Sequence, residues 1–198
     1  MQRQQFYEEV KTFEGFSRNM YLDSKGYVTI GVGILLDSAD KAVSGNFNFV
    51  NKKTGKTATS DEIRNEWTTV KKLHKGRGLK YYSDATKLIA DEQQLNSKFE
   101  SLMLNALYDA KKYYPDFDNL PSKIQFALWD MSFNLGYGKL SQYQRLKKHL
   151  EEGDYKKAAR ECKRNGISHN RNRAIEKWIV EAIPVGDFNL PDGNNAIV

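Results

Sequence analysis

The stretch that decides the fold runs from Glu14 to Gly33 and reads EGFSRNMYLDSKGYVTIGVG. Its β-rich runs at 20–22 and 27–30 flank residues 23–26, which open with Asp and close with Gly. That pattern is typical of a hairpin turn between two strands. A third strand is predicted at 34–36, so the N-terminal part of the chain is expected to form a small sheet.

A short amphipathic helix is predicted before the sheet. Phe6, Val10 and Phe13 recur at i, i+4 and i+7, which indicates a helix over 3–13. Glu14 is followed by a glycine, and we therefore expect this carboxylate at a helix terminus.

Glu14 and Asp23 both belong to this first hairpin region, and their chemistry suits glycosidic bond cleavage. That reaction needs a proton donor, a second carboxylate and, for inversion, room for a water between them. Thr29, on the returning strand, could help hold that water near Asp23. On spacing alone, a Glu and an Asp nine residues apart are more often two solvated surface residues, so the pair does not by itself identify a site.

The middle of the chain has a polar part and a periodic part. Residues 44–59 are predicted to be a polar hairpin or excursion, followed by a helix that Ser60 and Asp61 cap and that ends near Lys75. From Asp91 a long apolar stripe predicts a long helix, with Asp91 and Gln94 at capping-box spacing.

The C-terminal part is predicted to be helical. Residues 124–135 carry apolar side chains on two sides, which indicates a buried central helix. Shorter helices are predicted at about 142–152, 154–164 and 170–182, and the Pro- and Gly-bearing tail from 184 to 198 is expected to be irregular.

Length and composition exclude several classes of protein. With 198 residues, the chain is expected to be one domain, or one domain with a small lobe, and it has no uncharged run that could span a bilayer. The first ten residues show no signal peptide. Cys162 lies in a helical apolar pattern and is predicted to be a buried thiol rather than a nucleophile. The three histidines, far apart in sequence, predict no metal site.

The net charge of +6 is unevenly distributed, because residues 139–181 hold twelve Lys and Arg against six Asp and Glu. We expect this excess to face an anionic partner. Charge alone does not choose among nucleic acid, anionic lipid and the acidic polymers of a bacterial wall.

The Glu14 to Gly33 string closely resembles the phage-type lysozymes, a family that includes the T-even phage enzyme and the pesticin catalytic domain. Their signature is Glu, eight residues, Asp, five residues, Thr, and Glu14, Asp23 and Thr29 match it. The resemblance resumes at 89–92, where the long helix of the family begins, and continues over 127–159 and 172–174. It implies an α+β, lysozyme-like fold in which a long helix joins a small sheet-bearing lobe to a helical lobe, with the glycan in the cleft between them.

The resemblance also implies a role for each matching residue. Glu14 would be the general acid, Asp23 and Thr29 would hold the attacking water, and Arg173 would be a cation near Glu14. Substrate-binding residues would be Leu35, Phe133 and Asn134.

Three features depart from the family. Ile34 stands where the T-even enzyme has a histidine, Lys25 replaces an acidic residue, and a longer segment occupies 37–88. Binding of peptide stems is therefore the property that the resemblance transfers least. We predict one catalytic domain over 1–183, with an insertion at about 37–88.

The resulting hypothesis is a monomeric muramidase that cuts the β-1,4 bond between N-acetylmuramic acid and N-acetylglucosamine of peptidoglycan, with inversion and without a metal or cofactor. A lytic transglycosylase and a noncatalytic wall-binding or nucleic-acid-binding module are the alternatives. For the muramidase, neither nucleic acid binding nor membrane insertion is expected. As a phage endolysin or an interbacterial toxin, the protein would be made in the cytoplasm, delivered to the wall by a holin or secretion system and, as a toxin, paired with an immunity protein.

Overall fold

The structure is a computed structural model and describes residues 3–182. It divides into two compact units, one within 3–104 and the other within 105–182. The first unit contains α1 (Arg3–Glu14), β1 (Ser17–Leu22), β2 (Val28–Gly31), β3 (Ile34–Leu35), α2 (Ala39–Ser44), β4 (Phe49–Asn51), α3 (Ser60–Lys71), α4 (Leu79–Ala85) and β5 (Leu88–Ala90). Helix α5 (Glu92–Tyr113) contains the boundary. The second unit continues with a 3₁₀ turn (Phe117–Asn119), α6 (Ser122–Leu140), α7 (Gln144–Glu151), α8 (Tyr155–Glu161) and α9 (His169–Val180).

The predicted N-terminal helix and sheet are confirmed. Helix α1 ends at Glu14, and β1, β2 and β3 form an antiparallel sheet in that order. Tyr21 pairs with Thr29, and Thr29 pairs with Leu35, so these three residues form one row across the sheet. Because side chains directly opposite one another point to the same face, this row lies on one face of the sheet.

The predicted hairpin at 44–59 is present over part of that range, because Val50 bridges Thr57 in antiparallel pairing around a turn at 51–56. The pairing of β4 with β5, in which Phe49 lies opposite Ala90, was not predicted. Phe47 and Phe49 are buried apolar anchors within a segment that reads as polar. Two short helices, α2 and α4, were not predicted.

The bounds of two helices also differ from prediction. Helix α3 begins one residue earlier than expected, because Thr59 and Glu62 form a reciprocal capping box, and it ends at Lys71 instead of Lys75. The hydroxyl of Tyr82 donates to the His74 carbonyl oxygen at 2.8 Å, which holds the chain in a non-helical path after α3.

Asp91 caps the long helix α5 as predicted, since its Oδ1 accepts from the Gln94 N–H at 2.9 Å. The side chain of Gln94 does not close the expected box. Its Oε1 instead accepts from the Asn48 N–H at 2.6 Å and ties the loop before β4 to α5. Ile89 belongs to strand β5 and not to this helix, contrary to the start at 89 that the resemblance implied.

The second unit, as far as the structure describes it, is helical. Helix α6 is the predicted buried helix, and its regular part breaks at Gly136, where φ is 65°. Helices α7, α8 and α9 match the three predicted short helices. Cys162 is buried as predicted, and burial raises the pKa of its thiol to about 11.

The fold class is α+β, as expected. Within residues 3–182, every helix is too short or too polar to cross a membrane. The prediction of one catalytic domain over 1–183 stays a prediction, and the predicted tail at 184–198 lies outside the described residues.

Candidate active site

Glu14 is the last residue of α1, and its position is fixed by the way this helix ends. The N–H of Gly15 still donates to the Lys11 carbonyl oxygen at 2.8 Å, but Gly15 adopts φ +77°. Glycine tolerates this left-handed backbone, which turns the chain out of the helix and into β1. On the inner face of α1, Phe6 and Val10 are fully buried, so the half-buried Glu14 is presented from an anchored helix.

Asp23 opens the turn between β1 and β2, and the turn holds its carboxylate. Oδ1 accepts from the N–H groups of Lys25 at 2.9 Å and Tyr27 at 2.8 Å. The N–H of Gly26 donates to the Asp23 carbonyl oxygen at 3.0 Å, and Gly26 adopts φ +87°. No residue within 3–182 donates a hydrogen bond to Oδ2. One oxygen of this carboxylate therefore fixes its orientation, and the other can accept from a bound molecule.

Thr29 lies on β2 and is buried, with 3% of its surface exposed. Its hydroxyl donates to the Tyr27 carbonyl oxygen at 3.0 Å. Because the proton is used in that bond, the oxygen of Thr29 is left as an acceptor. Asp23 and Thr29 thus each present an oxygen that can accept a hydrogen bond.

Tyr21 is a site residue that sequence reasoning missed. Burial raises the pKa of its phenol to about 12, and the N–H of Gly33, which donates to this hydroxyl, partly offsets that rise. The negative charges of Glu14 and Asp23 also raise the pKa, so Tyr21 lies within electrostatic reach of both predicted catalytic carboxylates. Its position near the end of β1, two residues before Asp23, was the available signal.

Leu35 ends the row that begins at Tyr21 and passes through Thr29. Tyr21 is 8% exposed and Leu35 is 49% exposed, so the row runs from the core to the surface. An exposed leucine at this end suits the predicted contact with a sugar face.

The other predicted residues belong to the second unit. Phe133 and Asn134 are half-buried on α6, and Arg173 is exposed on α9. The side-chain oxygen of Asn134 accepts a hydrogen bond from the Arg164 guanidinium. The substrate-binding roles of Phe133 and Asn134, and the role of Arg173 beside Glu14, stay predictions.

A buried ion cluster in the second unit corrects the reading of the basic C-terminal region. Asp130, fully buried, accepts from Arg164 at 2.8 Å and from Arg171 at 2.7 Å. Both arginines are themselves buried. Two of the twelve cations at 139–181 therefore hold α9 and the loop before it to α6, and they do not face a polymer. The signal was an aspartate in the middle of an apolar helix.

Within residues 3–182, no group of three or more His, Cys, Asp or Glu side chains is arranged to hold a metal ion.

Comparison with known proteins assigns the family. The sequence profile described as phage lysozyme matches residues 11–174. A relative, "Probable T4-type lysozyme 2" of Dictyostelium discoideum, is 25% identical over 156 residues, which cover 78% of this chain and 79% of that protein. This chain belongs to the phage lysozyme family. It is a glycosidase of the muramidase type, and its substrate is peptidoglycan.

Proposed function

We propose that this chain is an inverting N-acetylmuramidase, which hydrolyses the β-1,4 bond between N-acetylmuramic acid and N-acetylglucosamine. Glu14 donates a proton to the leaving oxygen. A water held by Asp23 and Thr29 attacks the anomeric carbon from the opposite face in a single displacement, which gives an α product.

The observation that carries this proposal is the state of the Asp23 carboxylate. Two backbone N–H groups hold Oδ1, and Oδ2 is left to accept from a water. The Thr29 hydroxyl donates its proton to the Tyr27 carbonyl oxygen, so its own oxygen is a second acceptor. Two acceptors orient a water for attack, whereas a carboxylate acting as a nucleophile needs no neighbouring hydroxyl.

The remaining predicted residues take supporting roles in this proposal. The family resemblance gives Arg173 the role of a cation that assists Glu14, and it gives Leu35, Phe133 and Asn134 contacts with the saccharide. Residues that line a glycan site contribute to the affinity for the saccharide and to its position in the site. The bond-breaking step depends on Glu14 and the held water.

The direct test is Glu14→Gln, compared with Glu8→Gln on the same helix. Glu8 is an exposed carboxylate whose partners are Gln4 and Lys11, so its replacement controls for the loss of one charge on α1. Release of reducing ends from purified peptidoglycan should fall by about 10²-fold or more in Glu14→Gln and stay near the parent value in Glu8→Gln. Near-normal release by a folded Glu14→Gln protein would remove Glu14 from the reaction.

The same digest separates hydrolysis from transglycosylation. Hydrolysis adds one water to the cut bond, and a lytic transglycosylase leaves an anhydro sugar that is lighter by one water. Mass spectrometry of the released fragments should show the hydrated product, and anhydro sugar as the main product would overturn the water-based mechanism.

We also propose a bacteriolytic role at the cell wall, in phage lysis or in killing between bacteria, after delivery by another system. Expression directed to the periplasm of a Gram-negative host should lyse the cells, and cytoplasmic expression should not. A neighbouring gene for a holin would assign the phage role, and a neighbouring gene for an immunity protein would assign the toxin role.

A further inference from the structure

The segment 71–80, which joins α3 to α4, is strongly basic. It reads KKLHKGRGLK and holds five Lys and Arg and no Asp or Glu. All five cationic residues are exposed. The segment lies in the predicted insertion at about 37–88, to which the family resemblance assigns no role.

One end of this segment touches the turn that carries Asp23. The Nζ of Lys71 donates to the Gly26 carbonyl oxygen at 2.9 Å and lies 5.6 Å from the centre of the Tyr27 ring. The side chain of Lys75 lies beside Gly26, because a methyl group added at Gly26 would be 3.6 Å from Lys75 Cδ. Two lysines therefore lie against the turn whose backbone orients the Asp23 carboxylate.

The other end reaches the residue that follows Glu14. Leu79 lies close to Gly15, because a methyl group added at Gly15 would be 3.4 Å from Leu79 Cδ1. The 71–80 segment thus lies close to the chain beside both predicted catalytic carboxylates, and all of these residues belong to the first unit.

Most of the charge in this segment is uncompensated. Lys80 pairs with Asp84 at 3.0 Å, but Lys72, Lys75 and Arg77 have no carboxylate partner within residues 3–182. By contrast, several cations of the C-terminal region pair with acids close by in sequence, as Lys157 does with Asp154 at 2.8 Å. The backbone of the segment is also held, since Tyr82 donates to the His74 carbonyl oxygen.

We propose that the 71–80 segment binds the carboxylates of the peptide stems that flank the bond being cut. This inference rests on the proposed function, because the stems carry the free carboxylates of the polymer whose glycan would occupy the site. Exposed lysines act as point charges without fixed geometry, which suits flexible stems better than a rigid pocket would. Such attraction raises local substrate concentration and weakens with salt.

The test compares two triple variants in the Glu14→Gln background, which should hold the polymer without cutting it. The first carries Lys72→Gln, Lys75→Gln and Arg77→Gln. The second carries Lys53→Gln, Lys56→Gln and Lys98→Gln, which removes three exposed lysines of the same unit that also lack a carboxylate partner among the described residues. Both lose the same charge, so only position differs.

Binding is measured by co-sedimentation with sacculi that lack teichoic acid, at several salt concentrations. The first variant should bind about tenfold more weakly at low salt, with a flatter salt dependence, and the second should bind like the parent. Sacculi whose carboxylates have been amidated with methylamine should bind parent and first variant equally.

Equal binding of the two triple variants to unmodified sacculi would overturn the proposal. A difference that persists on amidated sacculi, or that appears only on walls bearing phosphodiester polymers, would also overturn the assignment to stem carboxylates. Failure of the proposed function is seen in a separate assay. In that case the protein with Glu14 intact would release no reducing ends from peptidoglycan.

Discussion

Asp23 and Tyr27 are joined by two hydrogen bonds across the β1–β2 turn. The N–H of Tyr27 donates to Oδ1 of Asp23 at 2.8 Å, and the N–H of Asp23 donates to the Tyr27 carbonyl oxygen at 2.9 Å. The same carbonyl oxygen accepts from the Thr29 hydroxyl at 3.0 Å. The backbone of Tyr27 therefore links the two residues that we propose hold the attacking water, and a change in the turn should affect both.

Removing the hydroxyl of Thr29 should impair catalysis more than stability. Thr29→Val keeps the shape of the side chain but loses the acceptor for water, and the rate of wall hydrolysis should fall about tenfold or more. The free energy of unfolding should fall by about 1 kcal/mol, because one internal hydrogen bond is lost. Thr29→Ser, which keeps the hydroxyl, is the matched variant and should retain most of the activity. Equal activity of the Val and Ser variants would contradict the role of Thr29.

Gly26→Ala should show that the turn orients Asp23. Gly26 has φ +87°, and alanine there costs about 1 to 2 kcal/mol or moves the turn. Gly55, in the turn at 51–56, has φ +67° and open space around it, so Gly55→Ala has a similar backbone cost away from the site. Urea unfolding should show comparable losses for both variants, whereas wall hydrolysis should fall several-fold only for Gly26→Ala. A similar loss of activity in both would mean that the turn contributes stability alone.

Local sequence signals predicted the elements that depend on neighbours along the chain. The hairpin and the end of α1 could be predicted because they depend on local backbone conformations. The residues that set these conformations are the Asp and Gly of the 23–26 turn and the glycine after Glu14. The pairing of β4 with β5 could not, because it joins residues about forty positions apart and its apolar anchors lie in a polar segment.

Two features of the charge distribution were missed for a different reason. Counting charge over long windows assigned the basic excess to 139–181 and left the rest of the chain neutral, which concealed the cluster at 71–80. The same count treated Arg164 and Arg171 as surface cations, although Asp130 pairs with both in the interior. Charge counts carry no information about which cations are neutralised or buried.

The phenol of Tyr21 should make stability fall at alkaline pH. Its pKa is raised from 10 to about 12 in the folded protein, so the folded state holds the proton more tightly than the unfolded state. The stabilisation is fully present below pH 10 and is lost as the pH rises towards 12, by about 2 kcal/mol. Urea unfolding at several pH values between 9 and 12 should show a steeper fall for the parent than for Tyr21→Phe. Parallel curves would mean that Tyr21 is not shielded from solvent.

Removing the charge of Asp130 should unfold the second unit readily. In Asp130→Asn two buried arginines lose their carboxylate, and the free energy of unfolding should fall by about 3 to 5 kcal/mol. Asp118, which pairs with Lys111 at 2.7 Å on the surface, provides the comparison, and Asp118→Asn should change stability little. A small change in the free energy of unfolding of Asp130→Asn would contradict this prediction. It would show that bound water or a rearrangement of neighbouring groups solvates the two guanidinium groups when the carboxylate is absent.

The measurement that tests the central claim most directly is the configuration of the new reducing end. Early-time proton NMR of a peptidoglycan digest, taken before mutarotation mixes the anomers, distinguishes attack by a held water from attack by Asp23. A water positioned by Asp23 and Thr29 on the face opposite Glu14 gives the α anomer first. The β anomer appearing first would contradict the account, because it requires a covalent intermediate with Asp23 as nucleophile.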